Sequence, residues 1–235
     1  MKKILLVLFL LPQIVFSQDI LSKFTKLKGE LDYIKSQSLT INSISFTPSG
    51  DWIILYGDFG YSYNILPNSA KIHLEKLNNE QKPITNFFFV NDSAWVCTSE
   101  HNAFAYKYIP QSFAHALKKL NDNEKLINNL AYENGKWLIV FNDNKLAYKN
   151  LSTKTKSKLQ TVKQKGQAIN KFSFFNNNGW IFLYGKNNYE TENIPLECKN
   201  SLKALKDKDA EINFVTFFNQ AWIIIYDKNN YLSNF

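Results

Sequence analysis

The side chains best suited to chemistry fall together at Ser99-Glu100-His101. A serine, a carboxylate and an imidazole can bind a polar ligand or assist acid–base catalysis. They are also consecutive residues at the end of a predicted strand, where side chains alternate in direction and do not all converge. The cluster therefore predicts a ligand site or, more simply, neutral variation in a structural element.

The two cysteines, Cys97 and Cys198, are the candidates for a nucleophile or a disulfide. Cys97 replaces an aliphatic residue in a predicted strand, and Cys198 falls on the apolar stripe of a predicted helix. Cysteine in such positions behaves as a small buried hydrophobe. We expect two buried free thiols and no catalytic residue.

The three histidines, His73, His101 and His115, do not have the spacing of a metal site. The Asn-Asp-Asn stretches at 121–123 and 142–144 lack the alternating carboxylates of a calcium loop and are typical of turns. The sequence therefore predicts neither a metal nor any other cofactor.

A polar residue follows the isoleucine that opens each of five similar segments. These residues are Asn42, Thr85, Asn128, Asn170 and Asn213. One interpretation is hydrogen bonding between the side chain and the backbone at the corner where a helix leads into a strand. The other is a ring of amides and hydroxyls around an axial opening, able to bind a sugar or a polar peptide. Together with Ser99, Glu100 and His101, this column makes up the candidate ligand-binding residues.

A tandem repeat must position all of these residues. The five tryptophans, Trp52, Trp95, Trp137, Trp180 and Trp222, recur at intervals of 43, 42, 43 and 42 residues. Because tryptophan is rare and large, this regularity indicates copies that each bury it in the same structural place.

Each copy predicts three strands and a helix. The tryptophan begins a second strand, such as Trp52-Ile53-Ile54-Leu55-Tyr56, whose consecutive apolar residues require burial on both faces. The strand triplets start near residues 41, 84, 127, 169 and 212. Leucine-striped helices are predicted at 67–79, 110–121, 152–164 and 195–207, three of them with Pro67, Pro110 or Pro195 in the first turn.

The two ends of the repeat region are complementary. Residues 24–36 predict a helix with no strands before it, while the last strand triplet has no helix after it. An open array usually needs polar capping repeats, and none is evident. We therefore predict an α+β repeat fold, a closed five-fold α/β-propeller of βββα units. In it the N-terminal helix completes the unit formed by the C-terminal strands, and residues 18–235 form a single domain.

The repeat resembles a tryptophan-led tandem repeat of bacterial proteins, with W-I-I-L-Y-G followed by an aromatic residue, proline and a leucine-striped helix. In layout alone, residues 24–235 also resemble the pentein α/β-propellers. Pentein enzymes that act on guanidino groups use a cysteine with a histidine and carboxylates at the axis. No motif of theirs can be matched here, so the resemblance implies a layout and no catalytic residue.

The N-terminal residues predict export. Two lysines precede an apolar run ending at Leu11, and Val15 and Ser17 fit a small-residue cleavage site. Residues 1–17 are the predicted signal peptide, and the apolar run is too short for a membrane span. We expect a secreted or periplasmic bacterial protein with no integral membrane segment in the mature chain.

The net charge of +8 comes from lysine alone, since the sequence has no arginine. Arginine supplies the planar fork for bidentate phosphate and guanine contacts, so its absence argues against nucleic acid as a partner. Six lysines crowd the third predicted inter-unit helix and its flanks: Lys149, Lys154, Lys156, Lys158, Lys163 and Lys165. They could dock an anionic surface, although a solvated face is the simpler interpretation.

These features favour a monomeric, non-enzymatic binding or interaction module, because ring-shaped repeat folds offer a central opening and clustered loops. Its expected partner is a glycan or an exported or envelope protein. The alternatives are a hydrolase-type enzyme with a site in the second repeat, and a structural or inhibitor-type partner of another exported protein.

Overall fold

The computed structural model describes residues 17–100, 103–142, 144–176 and 178–235. These residues form five units, each a separate sheet of three antiparallel strands, together with five helices. The predicted repeat of three strands and a helix is confirmed. We number the units in chain order.

The strands and helices recur in the same order along the chain. The first strands of the units are β1 (Ile41–Phe46), β4 (Ile84–Phe89), β7 (Ile127–Glu133), β10 (Ile169–Phe175) and β13 (Ile212–Phe218). The second strands are β2 (Trp52–Tyr56), β5 (Trp95–Ser99), β8 (Lys136–Phe141), β11 (Gly179–Tyr184) and β14 (Ala221–Tyr226). The third strands are β3 (Gly60–Tyr63), β6 (Ala103–Lys107), β9 (Lys145–Lys149), β12 (Asn188–Glu192) and β15 (Asn230–Ser233). The helices are α1 (Gln18–Ser36), α2 (Asn68–Asn79), α3 (Gln111–Asp122), α4 (Thr153–Gln164) and α5 (Leu196–Asp207).

Helix starts differ from the sequence prediction in two ways. Helix α1 begins at Gln18 rather than residue 24, because Ser17 caps it: the Ser17 hydroxyl accepts the N–H of Ile20 at 3.3 Å. The prolines before α2, α3 and α5 occupy the N-cap and not the first turn. Their fixed φ suits that position too. In α4, Ser152 takes this place and accepts the N–H of Thr155 at 3.0 Å.

The second strand of each unit is buried on both faces, as its consecutive apolar residues predict. In β2, Trp52 and Ile54 pack against α1, whereas Ile53 and Leu55 pack against α2. Every helix therefore lies between two units and covers the second strands of both. Burying three to five apolar side chains per strand supplies most of the cohesion between units.

Helix α1 occupies this bridging position between unit five and unit one. Its buried face, with Phe24 and Leu31, shares one core cluster with Ile223 and Ile225 of β14 and with Trp52 of β2. The hydroxyl of Tyr231 in β15 also donates to Asp32 of α1 at 2.6 Å. The packing of α1 thus matches that of the helices within the chain.

The first strands of the units lie beside one another. Strand β1 lies against β4 and β13, and β10 lies against β7 and β13. Side chains bond across these junctions: the N–H of Phe89 donates to Ser45 Oγ at 3.0 Å, the N–H of Phe172 to Asn129 Oδ1 at 3.0 Å, and Ser173 Oγ to the Val215 carbonyl at 2.5 Å. Each bond joins residues one column apart in the repeat, so equivalent residues of neighbouring first strands lie at the same level.

Nearly all of the predicted signal peptide, residues 1–16, lies outside the described residues. Within the part of the chain that the structure describes, no helix combines the length and apolarity needed to cross a membrane.

Candidate functional site

A cavity of about 230 Å³ lies where the first strands of all five units meet. Aromatic side chains from every first strand contribute to its wall: Phe46, Phe88, Tyr132, Phe174 and Phe217. Pockets for drug-sized molecules usually occupy about 300–1,000 Å³. This axial cavity therefore suits a smaller compound.

The polar column predicted to line the axis makes hydrogen bonds that are mainly structural. Asn42 and Asn170 donate to the carbonyls of Gly57 and Gly185, in the turn between the second and third strands. Asn213 accepts the N–H of Lys228 in the corresponding turn at 2.7 Å. Thr85 shares a hydrogen bond of 2.7 Å with Thr98, and Asn128 holds the same position in β7. Of these five column residues, Asn42 also lines the axial cavity.

The cavity is lined instead by the next column, one residue further along the chain. Its members are Ser43, Asn86, Asn129, Lys171 and Phe214. Each first strand has a bulge just after its opening isoleucine, and the extra residue changes which column faces the axis. The periodicity of the sequence carries no signal for a bulge. The available signal was the polar residues Asn86, Asn129 and Lys171 inside otherwise apolar strands.

Lys171 is unusual among the cavity-lining residues because it carries a charge with no partner. Within the described residues, its ammonium has neither an ion pair nor a hydrogen bond. Burial lowers the pKa of Lys171, and no neighbouring charge contributes to that shift. No described group of the cavity wall therefore compensates the positive charge of Lys171.

Two further polar groups at the same level also have no acceptor. Asn129 uses its Oδ1 to accept the N–H of Phe172, and its amide nitrogen has no partner among the described residues. The Ser43 hydroxyl is buried and likewise makes no hydrogen bond to the described part of the chain. Since Phe172 follows Lys171 directly, its bond to Asn129 places that amide beside the lysine.

An acidic residue lies at the opposite end of the cavity. Glu133 forms an ion pair of 2.7 Å with Lys136. Burial raises the pKa of Glu133, and the charge of Lys136 opposes that rise. Glu133 stands four residues beyond Asn129 in β7, which at the usual rise of a strand is about 13 Å. It therefore neutralises Lys136 and not Lys171.

The Ser99-Glu100-His101 cluster does not converge in its described part. Ser99 is 4% exposed at the end of β5, whereas the Glu100 side chain is on the surface. Glu100 has φ 53° and occupies the same turn position as Gly57 and Asn142, which also have positive φ. His101 lies outside the described residues. Glu100 thus holds a left-handed turn position, which glycine, asparagine or aspartate fills in the other units.

Both cysteines are buried free thiols. Burial raises the pKa of Cys97 to about 12 and that of Cys198 to about 12. Because the thiolate is the nucleophilic form, neither side chain is reactive at neutral pH.

His73 stacks on Trp95 with ring centroids 5.6 Å apart, and burial lowers its pKa. Across the described ranges, no three His, Cys, Asp or Glu side chains come together in an arrangement that could hold a metal ion. His73 therefore contributes packing on the outer side of unit two.

A second cleft, of about 820 Å³, lies between the start of α4 and unit four. In this cleft Lys154 pairs with Glu192, which also accepts the Trp180 indole N–H at 3.0 Å. The Lys156 ammonium lies over the Tyr148 ring instead, 5.6 Å from its centroid. In the same helix, Lys158 pairs with Glu190 at 3.1 Å. Part of the lysine-rich surface is thus neutralised by β12, and Lys156 of the cleft is exposed to solvent, unlike Lys171.

Comparison with known proteins adds little to this geometry. No protein-family model matches the sequence, and no curated protein matches it. Among solved structures, the chain is similar to one titled "YCF48 bound to D1 peptide", with 9% sequence identity and a TM-score of 0.28. The match covers 82% of this chain and 50% of that one. This chain thus spans about half the length of that protein, and a likeness of this level carries no conclusion about a ligand.

Proposed function

We propose that this protein is an exported, non-enzymatic binding module whose five units form a closed ring around a ligand site. The observation that carries the proposal is the axial cavity, lined by the first strands of all five units. A cavity of about 230 Å³ suits a monosaccharide or a smaller compound better than an oligosaccharide or a peptide segment. A protein partner, if one exists, would bind an outer surface.

Three contacts support the closed ring. Strand β1 lies against β13, α1 fills the space between units five and one, and Tyr231 donates to Asp32. An open array would leave the apolar face of α1 and the outer face of β14 in water, which is unfavourable in proportion to the exposed apolar area.

The described reactive groups support binding rather than catalysis. Cys97 and Cys198 are protonated at neutral pH, and Ser99 is buried while Glu100 is exposed. A hydrolase in unit two would need these side chains to converge on one point.

Export is tested by the mass of the protein recovered from the medium or periplasm. We expect the mature chain to begin at Gln18, which removes the Ser17 hydroxyl that caps α1. A recovered protein that retains residues 1–17 would contradict the proposed cleavage.

The ligand site is tested with Thr216→Phe, which fills the cavity. Thr216 lines the cavity in the column where unit two already carries Phe88, so the repeat accepts this side chain at that level. Thr161→Phe, at an exposed position of α4, is the matched control. Both variants and the parent protein are titrated with neutral monosaccharides and small organic acids, with melting temperature and calorimetry as readouts.

We expect at least one compound to bind the parent and Thr161→Phe proteins and to lose at least tenfold in affinity for Thr216→Phe. Binding that Thr216→Phe leaves intact would place the ligand elsewhere. A protein partner captured from the envelope whose affinity ignores Thr216→Phe would favour the interaction-partner alternative.

A further inference from the structure

Three hydrogen-bond donors of the axial cavity have no acceptor among the described residues. The Lys171 ammonium, the Asn129 amide nitrogen and the Ser43 hydroxyl lie in one column of the repeat, and none has an acceptor in the described residues. Asn129 and Lys171 are neighbours because the N–H of Phe172 donates to Asn129 at 3.0 Å. Ser43 lines the same cavity from unit one.

A buried polar group that lacks a partner is unfavourable, and an unpaired charge more so. One missing acceptor could be a local imperfection of packing. Three donors at one level, one of them a cation, form a site complementary to negative charge and to oxygen lone pairs.

The charge of the ligand follows from the charges of the cavity. Lys171 supplies a single positive charge, and Glu133 and Lys136 at the far end cancel each other. A monoanion bound to Lys171 leaves the cavity neutral, whereas a dianion would leave one uncompensated negative charge at low dielectric. This balance favours a carboxylate over a phosphate or sulfate dianion.

The remainder of the ligand must be small, because the cavity is small and its wall carries both aromatic and polar side chains. Phe214 is the unit-five member of the column that contains Lys171, and Phe46, Phe174 and Phe217 also line the wall. The volume of about 230 Å³ leaves room for a short carbon skeleton.

We infer that the axial cavity binds a small monocarboxylate, with Lys171 pairing with the carboxylate and Asn129 and Ser43 donating hydrogen bonds to its oxygens. The inference rests on the proposed function, since it names the ligand class of the same cavity. The bound carboxylate completes the hydrogen bonding of all three groups at once.

The test uses the protein with isotope-labelled lysine, so that the signal of Lys171 is followed by NMR and assigned by its loss in Lys171→Met. Acetate and propionate are titrated against acetamide, the neutral analogue, and against phosphate and sulfate at matched ionic strength. We expect the pKa of Lys171 to rise by about one at a carboxylate concentration ten times Kd, because the anion binds the protonated form. The melting temperature should rise with it.

Three variants sharpen the test. Lys171→Met should raise Kd for acetate at least tenfold, Lys171→Arg should retain binding because it keeps the charge, and Lys203→Met, at an exposed position of α5, should change nothing.

The outcomes are distinct. An acetate effect that persists in Lys171→Met, or tighter binding of phosphate or sulfate than of carboxylates, overturns the inference. If a neutral sugar binds, is lost in Thr216→Phe and no carboxylate binds, the inference fails while the proposed function stands. If no compound binds in the cavity, both fail.

Discussion

At the scale of single residues, Lys171 is in conflict with its surroundings. It lines a cavity whose wall includes aromatic side chains, and no carboxylate in the described chain forms an ion pair with it. Residues that oppose the stability of a fold are found where binding needs them. Unit five carries Phe214 in this column, so the repeat accepts a large apolar side chain at this level.

We therefore expect Lys171→Met to stabilise the protein at pH 7 by about 1–2 kcal/mol, raising the melting temperature by about 2–8 °C. Lys203→Met is the control and should change neither the unfolding free energy nor the melting temperature.

Because the pKa of Lys171 is lowered in the folded state, the folded protein loses this proton at a lower pH than the unfolded chain does. The advantage of Lys171→Met should accordingly shrink as the pH rises towards 10.5, the ordinary value. Equal melting temperatures of Lys171→Met and Lys203→Met at pH 7 would show that the Lys171 ammonium does not destabilise the fold.

At the scale of elements, every helix ends in the same way. The residue after the C-cap has positive φ, and the next N–H bonds back to a carbonyl five residues earlier, as from Lys125 to Leu120 at 2.9 Å. This is the Schellman geometry, in which glycine is favoured because it has no Cβ. Only α4 uses glycine here, Gly166, while Ser38, Gln81, Glu124 and Asp209 hold the position in the other helices.

Replacing Glu124 by glycine should thus stabilise the protein by about 0.5–1 kcal/mol, because it relieves the left-handed strain of φ 53°. The matched substitution Glu75→Gly, in the exposed middle of α2, should destabilise by about 1 kcal/mol. Urea unfolding of the two variants measures both effects. Destabilisation by Glu124→Gly would show that the Glu124 side chain stabilises the fold by more than the left-handed backbone strain destabilises it.

The sequence predicts elements better than it predicts the cavity wall. Tryptophan spacing and consecutive apolar runs mark the strands, because burial on both faces leaves no other pattern. The bulge after each opening isoleucine is a backbone event that any residue type tolerates. Because of this bulge, the cavity is lined by the column of Lys171, whereas the sequence predicts the column of Asn42. The caps differed for a related reason, since proline fits both N-cap and first turn.

At the scale of the whole molecule, α1 should be as important to stability as a helix between two consecutive units. Leu31 and Leu74 occupy equivalent places in α1 and α2, and both are 0% exposed. Each packs in the core between two neighbouring units.

Leu31→Ala and Leu74→Ala should each cost about 2–5 kcal/mol and leave a single cooperative unfolding transition. Denaturant unfolding followed by tryptophan fluorescence compares them directly. A much smaller effect of Leu31→Ala, or an early separate loss of α1, would contradict the closed ring.

The bond between Asp32 and Tyr231 joins residues 199 positions apart, so the packing of α1 is completed by strands that are synthesised much later. Until β13 and β14 have been made, Phe24 and Leu27 lack the neighbours that unit five supplies. Such long-range contacts form late and slow the acquisition of native structure. A chain truncated before β14 would expose the apolar face of α1 to water. Such an exposed apolar surface would let cellular quality control distinguish incomplete chains from finished ones.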